Sequence, residues 1–118
     1  MRIWDLDPTW LCRQHLLGEH RELHAVWSIL VNKRKGYRRH PEVIRWDGAL
    51  RALYKRHKLL VSELQRRGYR HASPLDHRRA SGSAEPHGFV DPPDRQIEIL
   101  KDKGCDCNVP RYREERRR

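Results

Sequence analysis

Between Gln14 and Ala25 the chain sets two kinds of chemistry side by side in one helical register. Gln14, Gly18, Arg21 and Ala25 follow at steps of four, three and four, which is one face of a helix. The small residues at 18 and 25 let a partner approach the backbone, and Gln14 and Arg21 offer hydrogen-bond donors beside that gap. His15, Glu19 and Glu22 align next to them at helical spacing. A carboxylate on a surface otherwise suited to nucleic acid repels phosphate and needs a reason. Periodicity supplies a plain one, because Glu19 and Glu22 stand within helical reach of Arg13, His15 and Arg21 and can form intrahelical ion pairs. A second group is Cys105-Asp106-Cys107, which could hold a metal ion with help from one of the eight histidines. Zinc sites usually draw on two paired ligand sets, and Cys12 is the only other cysteine. The expectation is therefore three reduced thiols, with no metal and no cofactor.

The elements that must position these residues are helices. Asp7-Pro8 reads as a helix start, with Asp7 capping free amides and Pro8 fitting the first turn. From there to about Lys33 no proline intervenes. Leu16, Leu23, Trp27 and Leu30 recur at steps of seven, four and three, and Leu11 and Val26 widen that stripe. The pattern ends in Lys33-Arg34-Lys35-Gly36, where cations meet the negative helix end and Gly36 can take positive φ. Residues 37–46, with Pro41, read as an irregular crossing segment. Asp47 then caps a second helix to about Arg67, stopped by Gly68. Leu50, Leu53, Tyr54, Leu60, Val61 and Leu64 give it an apolar face, and His57 on that stripe reads as a packed core residue. Residues 71–93 break the composition with His, Ser, Pro, Gly and charge, leaving Leu75, Phe89 and Val90 to bury. A loop of that length is usually functional or mobile. A third helix covers Pro93 to Lys103, with Ile97, Leu100 and Ile99 inward and a stop at Gly104. The basic tail, with Arg111-Tyr112-Arg113 and Arg116 to Arg118, is either a solvated end or a phosphate-touching arm. These elements predict an all-α fold, one domain over 1–118, with two long helices, one shorter helix and long irregular loops.

Charge narrows the partners. Lys and Arg number 26 against 16 Asp and Glu, a net +10 over 118 residues. Such an excess attracts polyanions and suits phosphate neutralisation, and Arg, whose fork matches phosphate oxygens, outnumbers Lys. No run approaches the roughly 20 apolar residues of a membrane helix, and Asp5, Asp7 and Arg13 interrupt any signal-peptide stretch. A cytoplasmic protein, nucleoid-associated when acting, monomeric and without a membrane partner, is expected.

The stretch LCRQHLLGEHRELHAVWSIL, residues 11 to 30, resembles the catalytic helix of phage-type endonuclease V, the pyrimidine-dimer DNA glycosylase family. The likeness rests on Gln14-His15-Leu16, Glu19 and Arg21-Glu22-Leu23, with Arg2-Ile3 and Leu6 at the family's spacing. A second stretch, LLVSELQRRGY from Leu59 to Tyr69 following Tyr54, resembles the family's second long helix. The resemblance implies a mechanism in which the mature N-terminal α-amine attacks C1′ of the damaged nucleotide. The base leaves, an imine forms, and β-elimination nicks the strand, assisted by a glutamate that falls on Glu22. It also implies DNA contacts at Arg2, Gln14 and Arg21. The family's amine-bearing threonine corresponds here to Met1, which Arg2 should protect from removal, so Met1 and Glu22 are the expected catalytic residues. An α-amine as a class titrates near 7.7–8.0, well below lysine, and so is a ready nucleophile. His15, Lys33, Arg34, Arg38 and Arg39 complete the candidate DNA-binding set, and the expected partner is double-stranded damaged DNA. The family has an arginine at the position of Ala25 and an aromatic-rich end, where this chain has Tyr112 alone; both departures touch substrate recognition, so the expected substrates are pyrimidine dimers or related damaged bases. The competing readings are a non-catalytic helical DNA-binding protein and an RNA- or ribosome-associated basic protein.

Overall fold

The computed structural model describes residues 1–70 and 73–109. Its elements, in order, are a 3-10 turn at Pro8–Trp10, α1 at Arg13–Val31, α2 at Pro41–Ile44, α3 at Leu50–Arg66, a 3-10 turn at His77–Arg79 and α4 at Pro93–Asp102. The fold is all-α. Among the described residues no helix is long and apolar enough to cross a membrane. The basic tail from residue 110 lies outside the described residues.

The start of the chain differs from one continuous helix. Asp7 does cap, accepting from the Thr9 amide at 3.0 Å, and Pro8 opens a turn, but that turn closes at Trp10 and α1 begins afresh at Arg13 with Cys12 as its N-cap. α1 buries Leu16, Leu23, Val26, Trp27 and Ile29, while Leu30 is only partly covered. Its end also differs from expectation. Lys33, and not Gly36, takes the left-handed conformation at φ 51°, and the Arg34 amide reaches back to the Ile29 carbonyl at 3.0 Å. That bond satisfies an orphan carbonyl of the last turn.

Pro41 opens a helix where an irregular crossing was expected. It occupies the first position of α2, and the His40 ring nitrogen Nδ1 accepts from the Glu42 amide at 3.1 Å. Proline fits there because its missing N–H would have no helical partner. Nor does Asp47 cap α3; the N-cap is Ala49, which makes no side-chain bond. The long loop does the capping instead. Ser81 and Ser83 carbonyls accept from the Arg51 and Ala52 amides at 2.8 and 3.2 Å, two of the donors a helix start leaves orphaned. The Ser83 amide donates to the Gly48 carbonyl at 2.8 Å. Gly82, at φ 82°, permits this approach, since a Cβ there would collide with the Gly48 carbonyl. The loop therefore works as a fitted cap, and its Phe89 and Val90 stay exposed.

α1 packs against α3, with α2 against α1. Leu53, Leu60 and Leu64 of α3, Val43 and Trp46 near α2, and Ile97 and Leu100 of α4 join the α1 stripe in one core. Ile3, Trp4, Leu6 and Leu11 bring the N-terminal segment into it. His57 is buried there as expected.

Candidate active site

Apart from the turn at Pro8–Trp10 the N-terminal segment has no regular hydrogen bonding of its own, so its polar backbone must be satisfied from elsewhere. Three arginines do this. Arg45 donates to the Ile3 carbonyl at 3.0 Å while pairing with Asp5 at 2.8 Å and Glu42 at 2.8 Å. Arg56 of α3 donates to the Leu6 carbonyl at 2.7 Å. Arg67 donates to the carbonyls of Leu11 at 2.6 Å and Pro8 at 3.3 Å, and to Glu63 at 2.6 Å. Gln96 of α4 adds an acceptor for the Asp5 amide at 2.7 Å. Planar guanidinium forks suit this work because several donors leave one group in fixed directions.

That clamp delivers the first residues to a cleft of about 540 Å³. Met1, Arg2 and Trp4 line one side; Gln14, His15, Gly18, Glu19 and Glu22 of α1 line another; Ile99 and Lys103 close it from the last helix and its end. Met1 is 39% exposed, so the chain end is reachable from solvent. Among the described residues, Glu22 makes no hydrogen bond or ion pair, and the intrahelical pairs expected from spacing do not form. Glu19 turns inward instead, held by Arg56 through two bonds of 2.7 and 2.9 Å. Burial pushes the Glu19 carboxyl above the usual carboxylate range against the pull of Arg56. The two glutamates thus divide: Glu19 is a core ion pair, and Glu22 is a half-buried carboxylate with no partner in the described protein.

The other expected residues fall in two groups. Arg2, Gln14 and His15 are in the cleft. Arg2 is engaged there by Asp91 at 2.8 Å and lies 5.0 Å over the Trp4 ring. Arg21 is exposed, and its guanidinium is close to Gly18 at the cleft edge. Lys33, Arg34, Arg38 and Arg39 are all exposed and follow the C-terminal end of α1, which at the helical rise stands roughly 25 Å from Gln14. They are not part of the cleft.

A family model described as pyrimidine dimer DNA glycosylase matches residues 1–77. The chain belongs to that family. The comparisons with curated proteins and with solved structures each gave no match. The matched region of this family member carries Met1 through Glu22 and the three clamping arginines, whereas Asp91, Gln96, Ile99 and Lys103 come from beyond it.

Sequence reasoning missed the contributions from α4. Ile99 and Lys103 stand four apart on an amphipathic helix and its C-cap, a signal that could have marked a shared face. The Arg2–Asp91 pair spans 89 positions and leaves no local trace. It also missed that Cys12 and His15, three apart at the first turn of α1, meet Cys105 and Cys107; the four ligand atoms lie within 4.8 Å of one another. His20, His24 and His57 form a second such group between α1 and α3. Burial and the Lys103 cation hold His15 below the ordinary histidine range. Burial raises the Cys12 thiol, but hydrogen bonds from the His15 backbone and neighbouring groups bring it below its ordinary value, while burial pushes Cys107 up to about 12.

Proposed function

We propose that this chain is a bifunctional DNA glycosylase and abasic-site lyase acting on pyrimidine dimers in double-stranded DNA, with the Met1 α-amine as nucleophile and Glu22 as proton carrier. The observation that carries the reading is the cleft itself, lined by both an exposed Met1 and a carboxylate without a partner among the described residues, on a basic protein. A half-buried carboxylate with no protein partner keeps its oxygens free to give and take a proton in the cleft.

In the proposed reaction the amine lone pair attacks C1′, and the glycosidic bond breaks with its electrons leaving on the base. Glu22 protonates the sugar-ring oxygen as the ring opens, giving an imine between Met1 and C1′. Glu22, by then a carboxylate, takes a proton from C2′, the 3′ phosphate leaves by β-elimination, and water hydrolyses the imine to free the Met1 amine. Gln14 and Arg21 donate to the strand, and Arg2 supports the damaged nucleotide beside Trp4. Reaching C1′ requires opening the duplex at a cost of a few kcal/mol, least at damage, and cationic contacts offset it. Lys33, Arg34, Arg38 and Arg39 extend that grip along the duplex.

The test is borohydride trapping of protein with its native N-terminus on duplexes carrying a pyrimidine dimer, an abasic site or no lesion. The expected result is a covalent adduct mapped to Met1 on the first two duplexes only. Adduct on the abasic duplex alone would remove pyrimidine dimers as substrate. Good binding with no adduct anywhere would leave a DNA-binding protein without the chemistry.

A further inference from the structure

We propose that Cys12, His15, Cys105 and Cys107 form a structural zinc site that staples the segment after α4 to the start of α1. The ligand atoms come from two short motifs, Cys-x2-His at the first turn of α1 and Cys-x-Cys just past α4. His15 Nδ1 lies 3.0 Å from the Cys12 sulfur and 3.3 Å from the Cys107 sulfur. Around a tetrahedral ion with bonds of about 2.3 Å to sulfur and about 2.0 Å to nitrogen, neighbouring ligand atoms stand about 3.5–3.8 Å apart. A cluster whose four atoms all lie within 4.8 Å of one another closes on such an ion with small side-chain shifts.

Three surrounding features favour it. The Cys12 amide donates to the Cys107 sulfur at 3.1 Å, the outer bond that supports a metal-bound thiolate. Cys12 is the N-cap of α1, so its sulfur sits at the positive helix end, where a thiolate ligand is stabilised. Arg13 and Arg67 line the cavity that Cys12 and Cys105 share, and offset the extra negative charge of three thiolates on a divalent ion. On binding, three thiols release their protons to solvent and neutral His15 gives its Nδ1 lone pair. The weak bond from the Cys105 thiol to the Leu100 carbonyl, 3.5 Å, is given up.

The staple has a purpose visible in the fold. After Asp102 the described chain has no regular structure, and a backbone bond from the Asn108 amide to the Trp10 carbonyl, at 2.6 Å, ties it to the N-terminal segment. Thiolate ligands with imidazole select zinc over harder cations, and a small lean-cored protein gains from such a cross-link. The zinc site does not depend on the reaction proposed for the cleft, although His15 also lines that cleft.

The test uses the full chain, reduced and purified without chelator. Elemental analysis should find about one zinc per chain. Cobalt(II) added to the metal-free protein should give the visible bands of a tetrahedral centre together with near-ultraviolet thiolate-to-cobalt charge transfer. Cys105→Ser and Cys107→Ser should each lose most of that charge transfer, whereas His24→Gln should keep it. Less than a tenth of an equivalent of metal with no thiolate band would overturn the site. So would a Cys12–Cys107 disulfide in anaerobically prepared protein, or cobalt bands lacking thiolate charge transfer, which would place the ion at His20, His24 and His57. The wild-type spectra decide the matter even if a cysteine variant fails to fold.

Discussion

Two stretches of this protein lie outside the long helices and are rich in polar backbone, yet they are built in opposite ways. The N-terminal segment buries Ile3, Trp4, Leu6 and Leu11, and Arg45, Arg56 and Arg67 hold its carbonyls. The turn after α1 buries nothing from Asn32 to Arg39, and its Tyr37 is 73% exposed. Its bonds are local and backbone-made, such as the His40 amide to the Tyr37 carbonyl at 2.9 Å. Arginine is abundant in both neighbourhoods and does different work in each. Inside, it is a multi-pronged donor that fixes a chain segment; outside, it is a solvated charge available to a polyanion. The net charge of +10 therefore does not measure grip, because part of the cationic content is engaged in the interior.

The comparison can be broken at three points. The largest effect is expected where the fixed segment meets chemistry: Glu22→Gln should lower turnover by roughly 100- to 10,000-fold while leaving damaged-duplex affinity within a few-fold. Single-turnover nicking set beside a binding isotherm would check this, and unchanged nicking would remove Glu22 from the mechanism. Next comes the clamp. Arg56→Ala leaves Glu19 buried without its partner and the Leu6 carbonyl without its donor, a loss of about 3–5 kcal/mol in urea unfolding. A loss below about 1 kcal/mol would mean the segment is held by its apolar contacts alone. The smallest effect belongs to the exposed turn. Arg38→Ala with Arg39→Ala should leave stability unchanged and flatten the salt dependence of DNA binding, by roughly 1 in log–log slope for each phosphate no longer neutralised. An unaltered slope would exclude the turn from the DNA surface.

Much of the fold was legible because it rests on local rules. The Leu16–Leu23–Trp27 stripe, the α3 face and the α4 start at Pro93 are periodicity and proline chemistry, and they stand where the sequence placed them. The misses at helix ends turn on which groups satisfy the orphan backbone, locally at the end of α1 and from the long loop at the start of α3. Asp47 is a plausible cap, but α3 starts two residues later with Ala49 as N-cap, and carbonyls of residues 81 and 83 take the Arg51 and Ala52 amides. Gly36 is a plausible left-handed residue, but the helix ends three positions earlier at a lysine. At the site, the residues from Arg2 to Glu22 were readable as a group because a short segment and one helix face carry them. The α4 wall and the Cys12–His15–Cys105–Cys107 cluster were not, because they join positions about 90 apart in the chain.

The clamp on residues 3–11 also has a consequence for the timing of assembly. These residues are synthesised before Arg45, Arg56, Arg67 and Gln96, which follow tens of positions later. Contacts of such sequence separation form late. The segment is thus secured later than it is made, and the growing chain carries it unanchored until the helices that hold it have emerged.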